Sequence, residues 1–184
     1  MKKRLLTTLL LFLVMPSWGI ASGRDDPARL DGVWRLDWDQ SDSFEPVMKA
    51  LEIGWLIRKL AGVARVGLEL RAVPLPEDCQ KCVRDMLVTL KSPLSKDEVR
   101  VTLDGVARPG KDPRGRDTLD AYRWTKEGAL EMDREVVLPS GRQARLLETR
   151  SLDSDPDKLI SRLVVFVEGS QEASITRIFE RQVD

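Results

Sequence analysis

The sequence predicts an all-β fold with a small helical lid: a closed antiparallel up-and-down β-barrel of about ten strands, with a helix-turn-helix after the first strand. Three observations carry this. Short segments rich in Val, Leu and Thr recur through most of the chain, each bounded by turn residues. The only helical periodicity lies in two short stretches near the start. The connections are too short for crossover helices, which leaves antiparallel neighbours.

Charge and composition bound the function classes. The chain has 184 residues, 30 Lys+Arg against 30 Asp+Glu, two Cys and no His. That length suits one domain. A hydrophobic share of 42% with 33% charged describes a globular chain. Without histidine there is no Ser-His-Asp or Cys-His nucleophile and no His-ligated metal or haem. Balanced charge gives no broad nucleic-acid surface. No carboxylate spacing singles out an acid/base pair, so no catalytic residue, cofactor or metal is expected.

Residues 1–21 read as a secretory signal peptide. Lys2, Lys3 and Arg4 lead an almost wholly apolar run to Met15, and Gly19 and Ala21 supply small residues before a cut after Ala21. The run is short for a membrane span. Its removal leaves 163 residues, one domain over 22–184, with a formal charge of −3. The reading is a periplasmic or secreted protein with no stable membrane insertion.

The first strand, 32–38, puts Trp34, Leu36 and Trp38 on one face. Asp39 to Ser43 are turn and cap residues, with Ser43 as N-cap and Pro46 in the first turn. Phe44, Val47, Met48 and Leu51 then share a helical face. Gly54 separates this helix from a second, roughly 55–61, and Gly62 supplies a left-handed stop. Neither helix is long enough to stand alone in water, so both lie on something. Phe44, Met48, Leu51 and Trp55 form the apolar stripe of this lid; it is a packed underside, a portal for ligand entry, or both.

Further strands are placed near 65–73, 83–91, 98–104, 117–125, 129–138, 142–152, 159–167 and 173–182. The stretch 109–116 reads as a polar loop. In 142–152 one face carries Arg142, Ala144, Leu146, Glu148, Arg150 and Leu152. A sandwich core does not readily bury Glu148 and Arg150. A barrel lumen holds such groups if they pair or meet a polar ligand; an irregular edge strand is the other reading. Cys79 and Cys82 fall in a turn. In an oxidising compartment they close a small disulfide loop. A redox motif needs a βαβ setting, and two thiolates without His make a poor zinc site.

Gly32-Val33-Trp34-Arg35-Leu36, then Phe44, the run Met48 to Leu51, Gly54 and the run Arg58 to Ala61, resembles the opening of intracellular fatty-acid-binding proteins, grouped with lipocalins as calycins. Thr176-Arg177-Ile178-Phe179-Glu180-Arg181 is similar to that family's closing strand. The resemblance implies a helix-turn-helix lid on a barrel and a fatty acid or related lipid as ligand. It also implies that Trp34, with a basic residue of the last strand, plugs the closed end. In the family the ligand carboxylate meets one Arg on an earlier strand and an Arg-x-Tyr pair on the last. Carried over, these are Arg150, Arg177 and Phe179, with Phe179 lacking the tyrosine hydroxyl. Arg150 and Arg177 could instead pair with Glu148, which makes the barrel a ligand-free structural or protein-interaction module.

Overall fold

The computed structural model describes residues 26–61, 66–74, 84–91 and 96–182. The leader, the Gly62 stop and the Cys79–Cys82 loop lie outside the described residues. Ten strands form one antiparallel sheet: β1 (Gly32–Asp37), β2 (Gly67–Ala72), β3 (Asp85–Lys91), β4 (Lys96–Thr102), β5 (Arg108–Lys111), β6 (Asp117–Trp124), β7 (Leu130–Val137), β8 (Gln143–Leu152), β9 (Lys158–Val167) and β10 (Ser170–Arg181). Helices α1 (Glu45–Ala50) and α2 (Trp55–Ala61) follow β1.

The sheet runs β4-β3-β2-β1-β10-β9-β8-β7-β6-β5, so the first strand pairs with the last and the sheet curls. Its edges, β4 and β5, are not ladder partners. Across this gap the described residues show one isolated bridge, from Asp104 just past β4 to Arg123 of β6, and contacts of β4 with β6. Strand number and direction match the expectation; the hydrogen-bonded wall has a seam where a closed barrel was expected.

Short tight turns set the register of the second half. Gly128, Gly141 and Gly169 take left-handed φ of 82°, 86° and 80° in the β6–β7, β7–β8 and β9–β10 turns, where a side chain is strained. A strand also forms where the sequence suggested only loop. Residues Arg108–Lys111 pair with β6, Pro109 opposite Leu119 and Gly110 opposite Thr118. Proline is tolerated there because β5 is an edge strand, with one side free of a partner.

The helices differ from expectation in two details. Phe44, not Ser43, is the cap residue of α1, yet the Ser43 hydroxyl still accepts the Glu45 N–H at 3.2 Å. The apolar stripe breaks after Leu51. Val47, Met48 and Leu51 are buried, whereas Trp55 is 63% exposed. Glu52 adopts φ 57°, which ends the 3.6-residue phase and restarts it on a new axis.

Alternation places the even residues of β6, β7 and β8 and the odd residues of β9 and β10 inward. These inward residues form two apolar clusters. One, at the end marked by Trp34, joins Leu30, Leu36, Leu68, Leu70, Met86 and Phe179 among others. The other gathers Val136, Leu146, Val165 and Ile175 beneath Val47 and Leu51 of the α1 segment. Trp34 is fully buried; its indole N–H donates to the Leu30 carbonyl at 3.0 Å, and the Arg181 guanidinium lies 4.2 Å from the ring centroid. That is the Trp–basic pairing the resemblance implied, with Arg181 as the basic residue.

Candidate functional site

Between the two apolar clusters runs a belt of charged inward residues. Arg150 lies opposite Ser161 across β8–β9, and Ser161 opposite Arg177 across β9–β10. The three therefore form one row on the inner face. At roughly 4.8 Å per strand, the Arg150 and Arg177 backbones stand about 10 Å apart. Glu148 is two residues before Arg150 on the same face of β8, and Phe179 two after Arg177 on β10.

Arg150 is paired in bidentate fashion with Glu148. Its Nε donates to Glu148 Oε1 at 2.9 Å and its Nη2 to Oε2 at 2.7 Å. The Ser161 hydroxyl adds a third bond to Oε1 at 2.6 Å. Burial alone would push the Glu148 carboxyl up. The Arg150 charge, the Ser161 and Arg150 hydrogen bonds and the Arg177 charge outweigh burial and hold it below the usual range. The Glu148 and Arg150 side chains keep 15% and 14% exposure although they point inward. They are therefore largely removed from bulk water.

Arg177 is held differently. Its Nε is buried with no hydrogen-bond partner. Its guanidinium carbon lies 5.2 Å from the Phe44 ring centroid and 5.6 Å from that of Phe179, within cation–π range of both. Burial lowers its pKa and Arg150 lowers it further, while Glu148 works the other way. Such shifts leave a guanidinium charged at any physiological pH. Glu148, Arg150 and Arg177 together carry one surplus positive charge.

A second ion pair continues the belt toward the β5 edge. Arg134 Nε and Nη2 donate to the Asp120 carboxylate at 2.8 and 2.7 Å. Tyr122 lies between the two pairs, on the same face; burial pushes its phenol up, and both pairs act on it. The Arg134 and Asp120 side chains are 18% and 13% exposed, so they too are removed from bulk water.

The structure thus brings Arg150, Arg177 and Phe179 together, and adds Phe44 of the lid segment through its ring. Met48 and Leu51 pack beneath the lid, and Trp55 lies apart in solvent. Asp120, Arg134, Tyr122 and Ser161 escaped the sequence reading. Counting in twos from Thr118 and from Leu130 places all but Ser161 on the inner face, and counting from Leu159 places Ser161 there. A groove of about 560 Å³ on the outer face, between Glu135, Arg145, Leu147 and Phe166, contains none of the belt's charged groups. Among the described residues, no group of three His, Cys, Asp or Glu could hold a metal.

No family model matches the chain. A probable pericyclase of Mollisia scopiformis is 36% identical over 47 residues, 26% of this chain. The chain spans about a quarter of that relative's length. Solved structures are similar over far more of the fold. Fatty-acid-binding protein 1 of Echinococcus granulosus aligns with a TM-score of 0.61 at 15% identity, over 84% of this chain and 98% of its own. A Schistosoma mansoni fatty-acid-binding protein in complex with arachidonic acid gives 0.61 at 18%, over 85% and 98%. A secretory abundant heat soluble protein of Ramazzottius varieornatus gives 0.61 at 14%, over 84% and 96%. With two short helices after β1 and ten antiparallel strands, the chain shares the calycin-like fold of the fatty-acid-binding and secretory abundant heat soluble proteins.

Proposed function

We propose that the protein binds, without catalysis, a small amphipathic molecule with an anionic head, a fatty acid or related lipid, inside the curled sheet. The reading places it in the periplasm or outside the cell, on the strength of the leader-like residues 1–21. The observation that carries the ligand reading is Arg177. It is an inward cation with a buried Nε that has no partner and, among the described residues, no carboxylate in hydrogen-bond contact. A ligand carboxylate supplies the missing charge, and Arg–carboxylate geometry favours it. The fold likeness supports a hydrophobic ligand, because the Schistosoma neighbour holds arachidonic acid.

Magnitudes favour a lipid tail. Burying an acyl chain gains roughly 0.8 kcal/mol per CH₂, so about sixteen carbons supply on the order of 12 kcal/mol before the costs of binding. A hydrogen bond to a charged head adds about 1.5–3 kcal/mol. The tail therefore supplies affinity and Arg177 the orientation. The missing Phe179 hydroxyl loosens selection of the head without removing apolar binding.

Two measurements test this. Native mass spectrometry of gently purified protein should reveal a co-purified acyl species. Calorimetric titration with hexadecanoate should show affinity reduced by roughly 10- to 100-fold in Arg177→Leu, as expected for one charged hydrogen bond. Equal affinity in that variant overturns the reading. The second reading, a ligand-free interaction module, is favoured by one observation: Glu148 already satisfies Arg150 in a three-way network with Ser161. Protein free of lipid that takes up no hexadecanoate supports it.

A further inference from the structure

Glu148 is an acid placed where a carboxylate ligand also has to be received. It accepts two bonds from Arg150 and one from Ser161. Arg150 is therefore already matched, charge and geometry together, before any ligand arrives. Arg177, in the same cross-strand row, has no such partner among the described residues. The charge on offer is one unit, from one guanidinium.

We propose that Glu148 is a built-in counter-ion that makes the site selective for a singly charged carboxylate head over a phosphate monoester, with Arg150 acting as the residue that holds Glu148 away from Arg177. This rests on the reading of Arg177 as the head-group site.

A carboxylate brings one negative charge, which Arg177 matches. A phosphate monoester brings about −1.5 to −2 at neutral pH, and its excess charge meets Glu148 in a place poor in water. Neutralising Glu148 frees the second guanidinium and raises the offer to two units, which suits phosphate. Removing the Arg150 charge does the reverse. Glu148 then loses its partner, turns to Arg177 as the remaining cation in its surroundings, and leaves nothing for a ligand. A carboxyl site that used Arg150 as a direct ligand has no reason to recover when Glu148 is also neutralised. The counter-ion arrangement does.

The test titrates hexadecanoate and hexadecyl phosphate into the purified full-length protein and three variants. The unaltered protein should bind hexadecanoate more tightly, by roughly tenfold, one charged contact's worth. In Glu148→Gln the preference should shift toward the phosphate by roughly tenfold or more. In Arg150→Met both ligands should lose roughly tenfold or more. In the double variant Glu148→Gln/Arg150→Met, hexadecanoate binding should return to within about threefold of the starting value. That variant also removes both members of the buried pair, so it serves where a single change unfolds the chain. An unchanged ratio in Glu148→Gln, or a double variant as weak as Arg150→Met, overturns the counter-ion role while leaving the Arg177 site standing. If hexadecanoate does not bind, or binds Arg177→Leu equally well, the site itself fails and the selectivity with it.

Discussion

Glu52 shows how much one side chain can fix. It sits at φ 57°, a left-handed position that few non-glycine residues hold without support. The support is visible. Its carboxylate accepts the Ser140 N–H at 2.9 Å, the Ser140 hydroxyl at 2.6 Å and Arg142 Nη2 at 2.7 Å. One residue thereby ties the link between the lid helices to the β7–β8 turn. The Ser140 hydroxyl, then Arg142, holds the Glu52 carboxyl down to about 2, against an ordinary 4.5. A lowered pKa means that folding favours the ionised form. The stabilisation is complete above 4.5 and drains away as pH falls toward 2. Urea unfolding at neutral pH should therefore find Glu52→Gln less stable than the unaltered protein. The difference should close below the folded-state value, and a gap constant across that range refutes the clamp. The sequence offered no hint of this contact, because 88 residues separate its partners. The inward charge of Glu148 and Arg150, by contrast, was legible from alternation along a single strand.

At the scale of elements, strands with a clean two-residue period were readable and edge pieces were not. β9 alternates along its whole length, β8 as far as Leu146 and β10 from Ala173 to Ile175, and counting on in twos from these gives the rest of their inward rows. β5 is four residues long and contains Pro and Gly, both signals against a strand. Pairing to β6 overrides them. Gly110 has a further duty. A Cβ built there would lie 2.8 Å from an Asp120 carboxylate oxygen and 3.0 Å from the Thr118 hydroxyl. Gly110→Ala should push Asp120 off its paired geometry with Arg134 and lower stability by about 1–3 kcal/mol. A melting temperature unchanged in Gly110→Ala shows that the hairpin absorbs the methyl group. The lid stripe was readable only as far as its first helix. Periodicity speaks for one axis at a time, and a turn as sharp as that at Glu52 resets it.

For the whole molecule, the arrangement trades stability for chemistry. Apolar clusters fill the two ends, and charged groups occupy the layer between them. Replacing a buried ion network by apolar groups of similar volume is often stabilising by about 1–4 kcal/mol. A Glu148→Leu/Arg150→Met/Arg177→Leu protein should therefore unfold at higher urea concentration and bind hexadecanoate at least roughly tenfold more weakly. If it is instead much less stable, the belt is a framework part and the interaction-module reading gains. Composition and strand rhythm made the architecture legible at this scale. The pairing of the belt was not, because which acid meets which base depends on register across four strands, and no local pattern encodes that.

The gap between β4 and β5 has a mechanical consequence. Everywhere else each strand is stitched to a neighbour over several residues, whereas here the described residues offer one rung, Asp104 with Arg123. A curled sheet whose edges are so lightly fastened does not loosen evenly. It yields along that line first, as a split tube opens under pressure from within, while the rest of the wall keeps its curvature.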